Sequence, residues 1–380
     1  MEQLQYYGQH DDLISSIGTL KKYDKHMKEI IALMDYKSKF GSKHFDTPYR
    51  SGMDKKKLAT YFREVGYTIH YRYLNEIDLK TNEYKNKHII YTSSEDIGYL
   101  YKSYIEDIIY ALELSGAKVI PEYKHLRANN NKVFMELYRD SLQLTENIKS
   151  VVFGSLKDIE MHLDTIEYPV VFKTSGGASG TGVSLVSSEK ELLRKIKSES
   201  PRNYKMDAKD QLRALKHKGY IKESVYRKKF VLQQFIPDLV NDWKVYFFGE
   251  KLYIFKRPIL SGRGIKASGG GYDNYYYGLE AEAPPGLFDF AFDIFQKLEV
   301  PHVSIDIAYD GTNFYLIEFQ SLYFGTAGIP YSEGYFRKMK EGWRFIEQKL
   351  EVEKVFADSI IRYLSHQSDQ VTSEAYQAEY

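Results

Sequence analysis

The sequence contains no cysteine, and this absence excludes several kinds of chemistry. Disulfide bonds, thiolate metal sites and a cysteine nucleophile are all ruled out. Long hydrophobic runs are also missing, because no stretch approaches the ~18 consecutive apolar residues of a membrane-spanning helix. The N-terminal residues lack the basic segment and apolar core of a secretory signal. We therefore expect a cytoplasmic protein with no membrane span.

An excess of charge of one sign is missing as well. The chain has 53 Lys and Arg against 52 Asp and Glu, a formal net charge of +1. A general nucleic-acid binder is usually more basic, so we expect no nucleic-acid partner. The sequence does contain enough apolar material for a core, since 43% of its 380 residues are hydrophobic. At roughly 100–200 residues per domain, this length predicts two or three domains.

The first third of the chain alternates between strand and helix patterns. The predicted strands cover 28–36, 67–74, 86–94 and 118–123. Apolar residues at helical spacing predict helices over Lys55–Glu64 and 104–116, and Gly116 stands where a C′ cap belongs. This alternation is typical of an α/β domain with a parallel sheet, which we place at 1–125.

The rest of the chain is richer in strands. A polar hinge at 127–132 precedes a helix that is predicted to run through Leu144, and further helices are predicted over 189–198 and 285–298. The predicted strands cover 168–175, 183–188, 230–236, 243–249, 251–257, 302–310 and 313–320. The polar tail from about residue 366 is expected to be disordered.

Residues 201–229 form a basic segment, with ten Lys or Arg against three Asp or Glu. One interpretation is a pair of solvated helices, because a run of charges usually forms a solvent-exposed face. The other is a basic arm for an anionic substrate or carrier, such as a glycan, a nucleotide sugar or an acidic peptide.

A glycine-rich loop follows an apolar strand that ends in Lys173. The next nine residues, 174–182, contain four glycines, two serines and two threonines. Glycines let backbone N–H groups approach phosphate oxygens, and a lysine adds a positive charge. A Walker loop carries its lysine after the glycines and opens a helix, whereas here a strand follows. The pattern predicts either a hairpin whose flexible tip covers phosphates or a hairpin loop without that role.

Three oxygen-bearing side chains interrupt two apolar strands further on. Asp306 lies in the first strand, while Glu318 and Gln320 share one face of the second. Asp310–Gly311 predicts the turn between the strands, with Asp310 as a turn residue. A three-residue loop would place Asp306 on the face of Glu318 and Gln320, and a two-residue loop would not. Such oxygens suit Mg²⁺, which prefers carboxylates and nucleotide phosphates. The alternative is a solvated polar face.

A third group of residues has a weaker pattern. The main chain of the apolar strand at 230–236 could pair with an adenine edge, and Gln233 could add its side-chain amide. Asp242 and Lys244 share one face of the next strand. Arg257 ends the strand after that and precedes a second glycine-rich loop. By themselves these residues do not distinguish a nucleotide site from ordinary strand positions.

In their order along the chain, these motifs resemble the ATP-grasp superfamily over roughly 28–330. The chain is most similar to the carboxylate–amine ligases of that superfamily, such as glutathione synthetase, D-alanine–D-alanine ligase and the ribosomal-protein glutamate ligases. The resemblance implies an α/β fold with an N-terminal pre-grasp domain, a central lid domain and a C-terminal grasp domain. ATP would lie between the last two domains, with two Mg²⁺ ions. The implied boundaries are 1–125, 126–237 with the insertion 201–229, 238–365 and a tail at 366–380.

The resemblance also implies roles for individual residues. NNNKVFMELY resembles the hinge segment that supplies Lys132, and PVVFKTSGGASGTGV resembles the lid strand that supplies Lys173, both of which would reach the nucleotide phosphates. VLQQFI resembles the adenine hinge, so Gln233, Phe235 and Ile236 would line adenine. The lid glycines that would surround the nucleotide are Gly176, Gly177, Gly180 and Gly182.

Further roles follow from the C-terminal motifs. DWKVYFFGEKL resembles a family strand and suggests Asp242 near the sugar or a neighbouring lysine, with Lys244 near phosphate. KRP resembles the arginine that holds the transferred phosphoryl group and the tetrahedral intermediate, which is Arg257 here. The implied catalytic residues are Arg257, Lys173 and Lys244.

Two residues depart from the family pattern. The implied metal ligands are Asp306, Glu318 and Gln320. Gln320 stands where the family has asparagine, and it keeps an amide oxygen on a side chain that is one methylene longer. Gln234 replaces the glutamate of the adenine hinge. The resemblance implies substrate contacts from the N-terminal domain and from the loops that follow Arg257 and Gln320. We therefore expect Arg257 and several tyrosines of these loops near the substrate. The expected loop contacts are Arg263, Lys266, Gly269 and Gly270.

The activity implied by the resemblance is ATP-dependent amide bond formation. A substrate carboxylate would attack the γ-phosphate of ATP to give an acyl phosphate, and an amine would then displace phosphate. The carboxylate could belong to an amino acid, a peptide or a uronic acid of a surface glycan, and a homodimer is left open. Two alternatives remain, namely a kinase that stops at phosphorylation and a nucleotide-binding protein without catalysis.

Overall fold

The computed structural model describes residues 27–43, 48–144, 148–177, 180–262, 264–265, 267 and 271–378. These residues form two compact units. The described residues before 123 and after 350 make up the first unit, and those from 123 to 350 make up the second. Within the described ranges, no helix combines the length and the apolar character needed to cross a membrane.

The first unit is built on a parallel sheet. Its strands are β1 (Lys28–Met34), β2 (Tyr67–Tyr73), β3 (His88–Tyr91) and β4 (Lys118–Ile120), and its first two helices are α1 (Lys55–Glu64) and α2 (Leu100–Leu114). The strand order is β2-β1-β3-β4. Ile30, Ala32 and Leu33 of the internal strand β1 are completely buried, which is typical of a parallel sheet covered on both faces. The predicted α/β alternation is confirmed.

The C-terminal helix, Val352–Ala378, also belongs to the first unit. Its buried Glu353 forms an ion pair with Lys43 at 2.9 Å and accepts a hydrogen bond from the Asp54 backbone N–H at 2.9 Å. The prediction of a disordered tail from residue 366 is wrong, because the helix continues to Ala378. Residues 351–378 contain neither glycine nor proline, so nothing interrupts the propagation of hydrogen bonds along the helix.

The second unit begins with helices α3 (Tyr123–Ala128) and α4 (Lys132–Ser141). The helix that was expected to reach Leu144 thus ends three residues earlier, at Ser141. An antiparallel sheet follows, with strands β5 (Ser150–Ser155), β6 (Val170–Thr174), β7 (Val183–Val186) and β8 (Arg227–Gln234) in the order β5-β8-β6-β7. Helices α5 (Leu156–Glu160) and α6 (Glu189–Glu199) supply Leu156, Leu192 and Ile196 to the core on one face of this sheet.

The basic segment forms one helix rather than a pair. Helix α7 (Tyr204–Lys216) begins at the N-cap Asn203, and the following residues return to β8 without another helix. Asp210 is the buried residue of α7, and it accepts hydrogen bonds from the Tyr220 hydroxyl and from the Glu223 backbone N–H. The chain after α7 is therefore held back against the helix by polar contacts.

The second antiparallel sheet contains seven strands. They are β9 (Asn241–Phe248), β10 (Lys251–Pro258), β11 (Tyr276–Tyr277), β12 (His302–Tyr309), β13 (Phe314–Gln320), β14 (Tyr335–Met339) and β15 (Gly342–Ile346). The order is β13-β12-β9-β10-β14-β15, and β11 pairs with β10. Helix α8 (Leu287–Leu298) buries Leu287, Ala291, Ile294 and Leu298 against this sheet, a spacing that places them on one helix face. A short helix, α9 (Gly328–Tyr331), follows β13.

Candidate active site

The glycine-rich segment forms the predicted hairpin. Strands β6 and β7 are antiparallel, and Lys173 pairs with Val183 in the ladder. A Cβ atom on Gly182 would lie 2.0 Å from the Thr174 Oγ1 atom, and a Cβ atom on Gly177 would lie 2.8 Å from the Thr181 carbonyl oxygen. Both positions also have a positive φ, so the tight path of this loop requires glycine there. Residues 178 and 179 lie outside the described part.

Lys132 lies against the same loop. Asn131 caps α4, and its Oδ1 atom also accepts a hydrogen bond from the Ser175 hydroxyl at 3.0 Å. The Lys132 backbone N–H donates to the Ser175 carbonyl oxygen at 2.8 Å, and its Nζ atom donates to the Gly177 carbonyl oxygen at 2.6 Å. The structure therefore brings the hinge lysine and the glycine-rich loop together.

Helix α4 also supplies a buried charged pair that the sequence analysis missed. Glu136 and Arg139 are each 1% exposed and form an ion pair. Glu136 accepts a hydrogen bond from the Gln233 side-chain amide at 3.1 Å, while Arg139 donates to the Ile148 carbonyl oxygen at 2.9 Å. Lys132, Glu136 and Arg139 follow i, i+4, i+7 spacing, and charges on one helix face beside apolar residues could have indicated a buried polar site.

Lys173 is a buried cation at the end of strand β6, next to the glycine-rich loop. It is 4% exposed, and burial lowers the pKa of its ammonium group, while the negative charges of Glu136 and Glu318 act against that decrease. Glu136 belongs to α4 and Glu318 to β13, so carboxylates from two different elements stabilise the buried cation. A lysine whose charge has lost water is well suited to bind an anion such as phosphate.

A cavity of about 170 Å³ opens beside Lys173. The strand that ends at Gln234 and the turn after it supply Gln233, Phe235 and Ile236, the three residues predicted to line adenine. The remaining walls are mostly aliphatic, and they include Ile148, Val171, Leu239, Ile259 and Ile317. An apolar cavity with a few polar groups and a lysine in its wall can accept a planar base.

Four charged residues form a second cluster on neighbouring strands of the seven-stranded sheet. Arg257 donates to Asp242 through Nε and Nη2, both at 2.6 Å, and its Nη2 atom lies 2.8 Å from Asp306 Oδ2. Lys244 Nζ lies 2.7 Å from Asp306 Oδ1. The ladder explains this proximity, because Asp242 pairs with Arg257 and Lys244 pairs with Asp306. Asp242 therefore fixes the plane of the guanidinium group.

The two carboxylates of this cluster have different pKa shifts. Burial raises the pKa of Asp306, but the charges of Arg257 and Lys244 outweigh burial and lower it to about 2. Burial raises the pKa of Asp242 above its usual value, although Arg257 opposes this increase. Asp306 is therefore ionised at neutral pH and can act as a ligand for a cation.

The predicted magnesium ligands share one face of the β12–β13 hairpin for a reason that the sequence analysis did not foresee. Neither the two-residue nor the three-residue loop occurs, because Tyr309 pairs with Phe314 and leaves four residues, 310–313, between the strands. A β-bulge between Asp306 and Ile307 then shifts the register, so that Asp306 pairs with Glu318. The bulge places Asp306 opposite Glu318 although both predicted loop lengths were wrong.

The turn itself is stabilised by Asp310, as predicted. Its Oδ1 atom accepts hydrogen bonds from the backbone N–H groups of Thr312 at 2.8 Å and Asn313 at 2.7 Å. Such bonds from an aspartate to the next residues of the chain are typical of turns. Asp310 is therefore a structural residue of the hairpin.

The donor set of this hairpin fits Mg²⁺. Asp306 and Glu318 face each other in the ladder, and the Gln320 Nε2 atom lies 3.4 Å from Glu318 Oε1. Carboxylates with an additional oxygen donor are the set that Mg²⁺ accepts when phosphates complete its coordination. In the described part of the chain, no group of three or more His, Cys, Asp or Glu residues could hold a metal by itself, so any cation here would also depend on Gln320 or on a bound phosphate.

No protein-family model matches this chain, and no curated protein matches its sequence. Solved structures are similar to it. A D-cycloserine synthetase is 11% identical and has a TM-score of 0.51, with 87% of this chain and 98% of that chain covered. The chain has the ATP-grasp fold.

Two more solved structures are similar at lower TM-scores. The D-alanine–D-alanine ligase from Bacillus anthracis, complexed with ATP, is 13% identical with a TM-score of 0.49 and coverage of 90% of this chain and 99% of that chain. A RimK domain ATP-grasp protein from Sphaerobacter thermophilus is 13% identical with a TM-score of 0.47 and coverage of 87% and 98%.

The ATP-grasp fold of this chain carries an aromatic cluster in the loops expected to contact substrate. The ring of Tyr331 is nearly parallel to those of Tyr272 and Tyr277, with centroids 5.8 and 5.4 Å away. Tyr277 in turn packs against Phe255 of β10 at 5.3 Å. The other residues expected to contact substrate lie outside the described residues, namely Arg263, Lys266, Gly269 and Gly270.

Proposed function

We propose that this protein is an ATP-dependent ligase that joins a carboxylate to an amine through an acyl phosphate. The observation that carries the proposal is the cavity lined by Lys173, Gln233, Phe235 and Ile236. The charge of Lys173 also interacts with Glu318, one of the three predicted metal ligands. A slot for a base, a buried lysine and a pair of carboxylates therefore belong to one connected region.

The cations of the site have distinct roles in this proposal. Lys132 and Lys173 bind the phosphate chain beside the glycine-rich loop, and Lys244 binds phosphate from the opposite sheet. Arg257, held in one plane by Asp242, stabilises the transferred phosphoryl group and the later tetrahedral centre. Phosphoryl transfer depends mainly on such positioning and charge neutralisation. The loop around Gly176, Gly177, Gly180 and Gly182 excludes water from the acyl phosphate.

Two bond exchanges make up the reaction. A carboxylate oxygen of the substrate forms a bond to the γ-phosphorus of ATP as the bond to the bridging oxygen breaks, which releases ADP. The amine then bonds to the acyl carbon and loses a proton, and inorganic phosphate leaves. Asp306, Glu318 and Gln320 would hold Mg²⁺, which when bound supplies positive charge to the phosphates.

The structural comparisons support the fold on which this proposal depends. The similarity to a D-cycloserine synthetase covers 87% of this chain and 98% of that chain, and it concerns the fold alone. It does not identify the two substrates of this protein. Amino acids, peptides and uronic acids therefore all belong in the first screen, with an amine as the second substrate.

Hydroxylamine distinguishes the candidate reactions, because it is a small nucleophile that can replace the natural amine. A ligase given ATP, Mg²⁺ and its carboxylate should produce a hydroxamate together with ADP and phosphate. A kinase should produce ADP and a stable phosphorylated product without hydroxamate, and a protein that only binds nucleotide should produce neither. ADP release with a stable phosphorylated product across all active carboxylates would replace the ligase proposal by the kinase.

A matched pair of arginine variants tests whether hydroxamate formation depends on Arg257. Arg257→Lys keeps the positive charge but removes the two parallel hydrogen bonds to Asp242, so hydroxamate formation should fall. Arg344→Lys changes an arginine of strand β15, away from the charged cluster, and should leave the rate unchanged. Equal rates for both variants would remove Arg257 from the proposed machinery.

A further inference from the structure

Helix α7 carries an apolar stripe on its solvent-exposed side. Tyr204, Leu212 and Leu215 are 72%, 65% and 85% exposed. Their separations of eight and three residues place them on the same face of a helix with 3.6 residues per turn. Single exposed leucines are ordinary, but a row of large apolar side chains along one helix indicates a surface that binds something.

A row of cations runs beside this stripe. Lys205, Lys209, Arg213 and Lys216 are all exposed, and their spacing of four, four and three residues places them on the adjacent face of α7. In the described part of the chain, no ion pair includes Lys205, Lys209 or Lys216, and Arg213 lies 3.9 Å from Asp210. The helix therefore presents apolar and positively charged side chains together along its whole length.

The orientation of α7 is set by polar contacts rather than by the stripe. Asp210, on the inward side, accepts hydrogen bonds from the Tyr220 hydroxyl and from the Glu223 backbone N–H. At the N-terminus, Asn203 caps the Met206 backbone N–H, and Arg202 forms an ion pair with Asp207 at 3.0 Å. Since the leucines do not hold the helix in place, they contribute nothing to the core and remain available for a partner.

We propose that α7 binds the surface of an anionic lipid bilayer. Basic amphipathic helices lie in the membrane interface, with apolar side chains inserted among the lipids and lysines near the anionic headgroups. The charge of α7 is complementary to such a surface, and residues 201–229 as a whole carry ten Lys or Arg against three Asp or Glu. Helix α7 is about 20 Å long. A protein partner would need a complementary groove to bury its apolar stripe, whereas a fluid lipid surface adapts to the helix.

Vesicle co-sedimentation of the full chain tests this proposal without requiring any enzymatic activity. The protein should pellet with vesicles of phosphatidylcholine and phosphatidylglycerol, should stay in the supernatant with pure phosphatidylcholine, and should be released by added salt. The double variant Leu212→Ser/Leu215→Ser should lose at least about tenfold in affinity, because its apolar contacts are gone. Leu114→Ser serves as the control, since Leu114 is a 72% exposed leucine of α2 in the other unit.

The unfolding temperature of the double variant should stay within about 2 °C of the wild type, since both leucines are exposed and serine lowers helix propensity by only a few tenths of a kcal/mol per residue. A decrease several times larger would mean that the leucines pack within the protein, which would contradict the proposal. Equal binding of wild type and double variant to phosphatidylglycerol vesicles would also overturn it. The wild type could instead bind neither vesicle and sediment as a dimer, while the double variant sediments as a monomer. The stripe would then be an interface between two copies, and the lipid proposal would fail.

Discussion

Gln233 donates a hydrogen bond from its side-chain amide to Glu136 at 3.1 Å, and both residues are at most 3% exposed. Gln233 lines the cavity beside Lys173, while Glu136 forms an ion pair with Arg139. One carboxylate thus orients a cavity residue, balances a buried arginine and contributes negative charge near Lys173. The cavity wall and the buried charges form one polar network.

Replacement of Glu136 by alanine should destabilise the protein by about 3–5 kcal/mol, because it leaves the buried guanidinium of Arg139 without its carboxylate. Urea denaturation measures the loss. The double variant Glu136→Leu/Arg139→Leu should lose less than the sum of the two single variants, since neither member of this pair then remains buried without the other. Lys173 still loses the nearby negative charge of Glu136, so part of the destabilisation should remain. Additive losses would contradict a coupled pair.

The variant Lys173→Met should weaken ATP binding by about 2–5 kcal/mol, the range expected when one partner of a buried charge contact is removed. Its folding should be unaffected or improved, because burial of the ammonium group is unfavourable. Calorimetric titration with ATP and a thermal melt measure the two effects. Lys228→Met changes a lysine that pairs with Glu199 at 3.3 Å and should bind ATP normally. Normal ATP binding by Lys173→Met would exclude its role in phosphate binding.

If the side chains of the β12–β13 hairpin bind Mg²⁺, substitutions of these ligands should weaken Mg²⁺ binding to different degrees. Glu318→Ala should abolish the Mg²⁺ dependence of ATP binding, whereas Gln320→Asn should preserve it, because an amide oxygen remains available. Gln320→Ala should require a higher Mg²⁺ concentration than Gln320→Asn. A Mg²⁺ titration monitored by ATP binding gives all three values. If Gln320→Ala follows the wild-type curve, Gln320 is not a ligand.

Burial of His302 predicts a pH dependence of stability. Burial lowers the pKa of its imidazole from 6.5 to about 3, so the unfolded chain takes up the proton first as the pH falls. Between these two values, the free energy of unfolding should decrease by about 1.4 kcal/mol per pH unit from this residue. His302→Phe retains the ring beside Phe248 and should lower the slope between pH 6 and 4 without abolishing it, because burial also lowers the pKa of His125 to about 3. An unchanged slope in His302→Phe would contradict the predicted linkage.

Gly182 and Gly219 both have a positive φ, but only Gly182 lies close to other atoms. Alanine variants at the two positions can therefore distinguish the cost of the backbone conformation from the cost of steric overlap. Gly182→Ala would place its Cβ 2.0 Å from Thr174 Oγ1, while Gly219→Ala would meet no atom within 4 Å. Both substitutions cost about 1–2 kcal/mol for the left-handed conformation, and Gly182→Ala should cost about 1–3 kcal/mol more because of the overlap. Chemical denaturation of both variants measures the difference. Equal losses would mean that the loop moves to accommodate the methyl group.

The local elements and the order of the motifs could be predicted from the sequence alone. Helix α1 was predicted with its observed bounds, Lys55–Glu64, because apolar spacing is a property of a single element. The structure adds Asp54 as its N-cap. The strand ending near Lys173 and the glycine-rich hairpin were predicted for the same reason, since strand pattern and turn chemistry are properties of neighbouring residues. That Asp310 stabilises a turn followed from its position before Gly311.

Contacts between residues that are distant in the sequence depend on the three-dimensional packing of the chain and could not be predicted in this way. The bulge that pairs Asp306 with Glu318 depends on how two strands fit against the rest of the sheet, and no residue pattern within the hairpin specified it. The partnership of Glu136 with Gln233 joins residues that are 97 positions apart, and α4 must pack on β8 before it can form. A buried charge is tolerated only beside a partner, and long-range packing alone brings that partner into place.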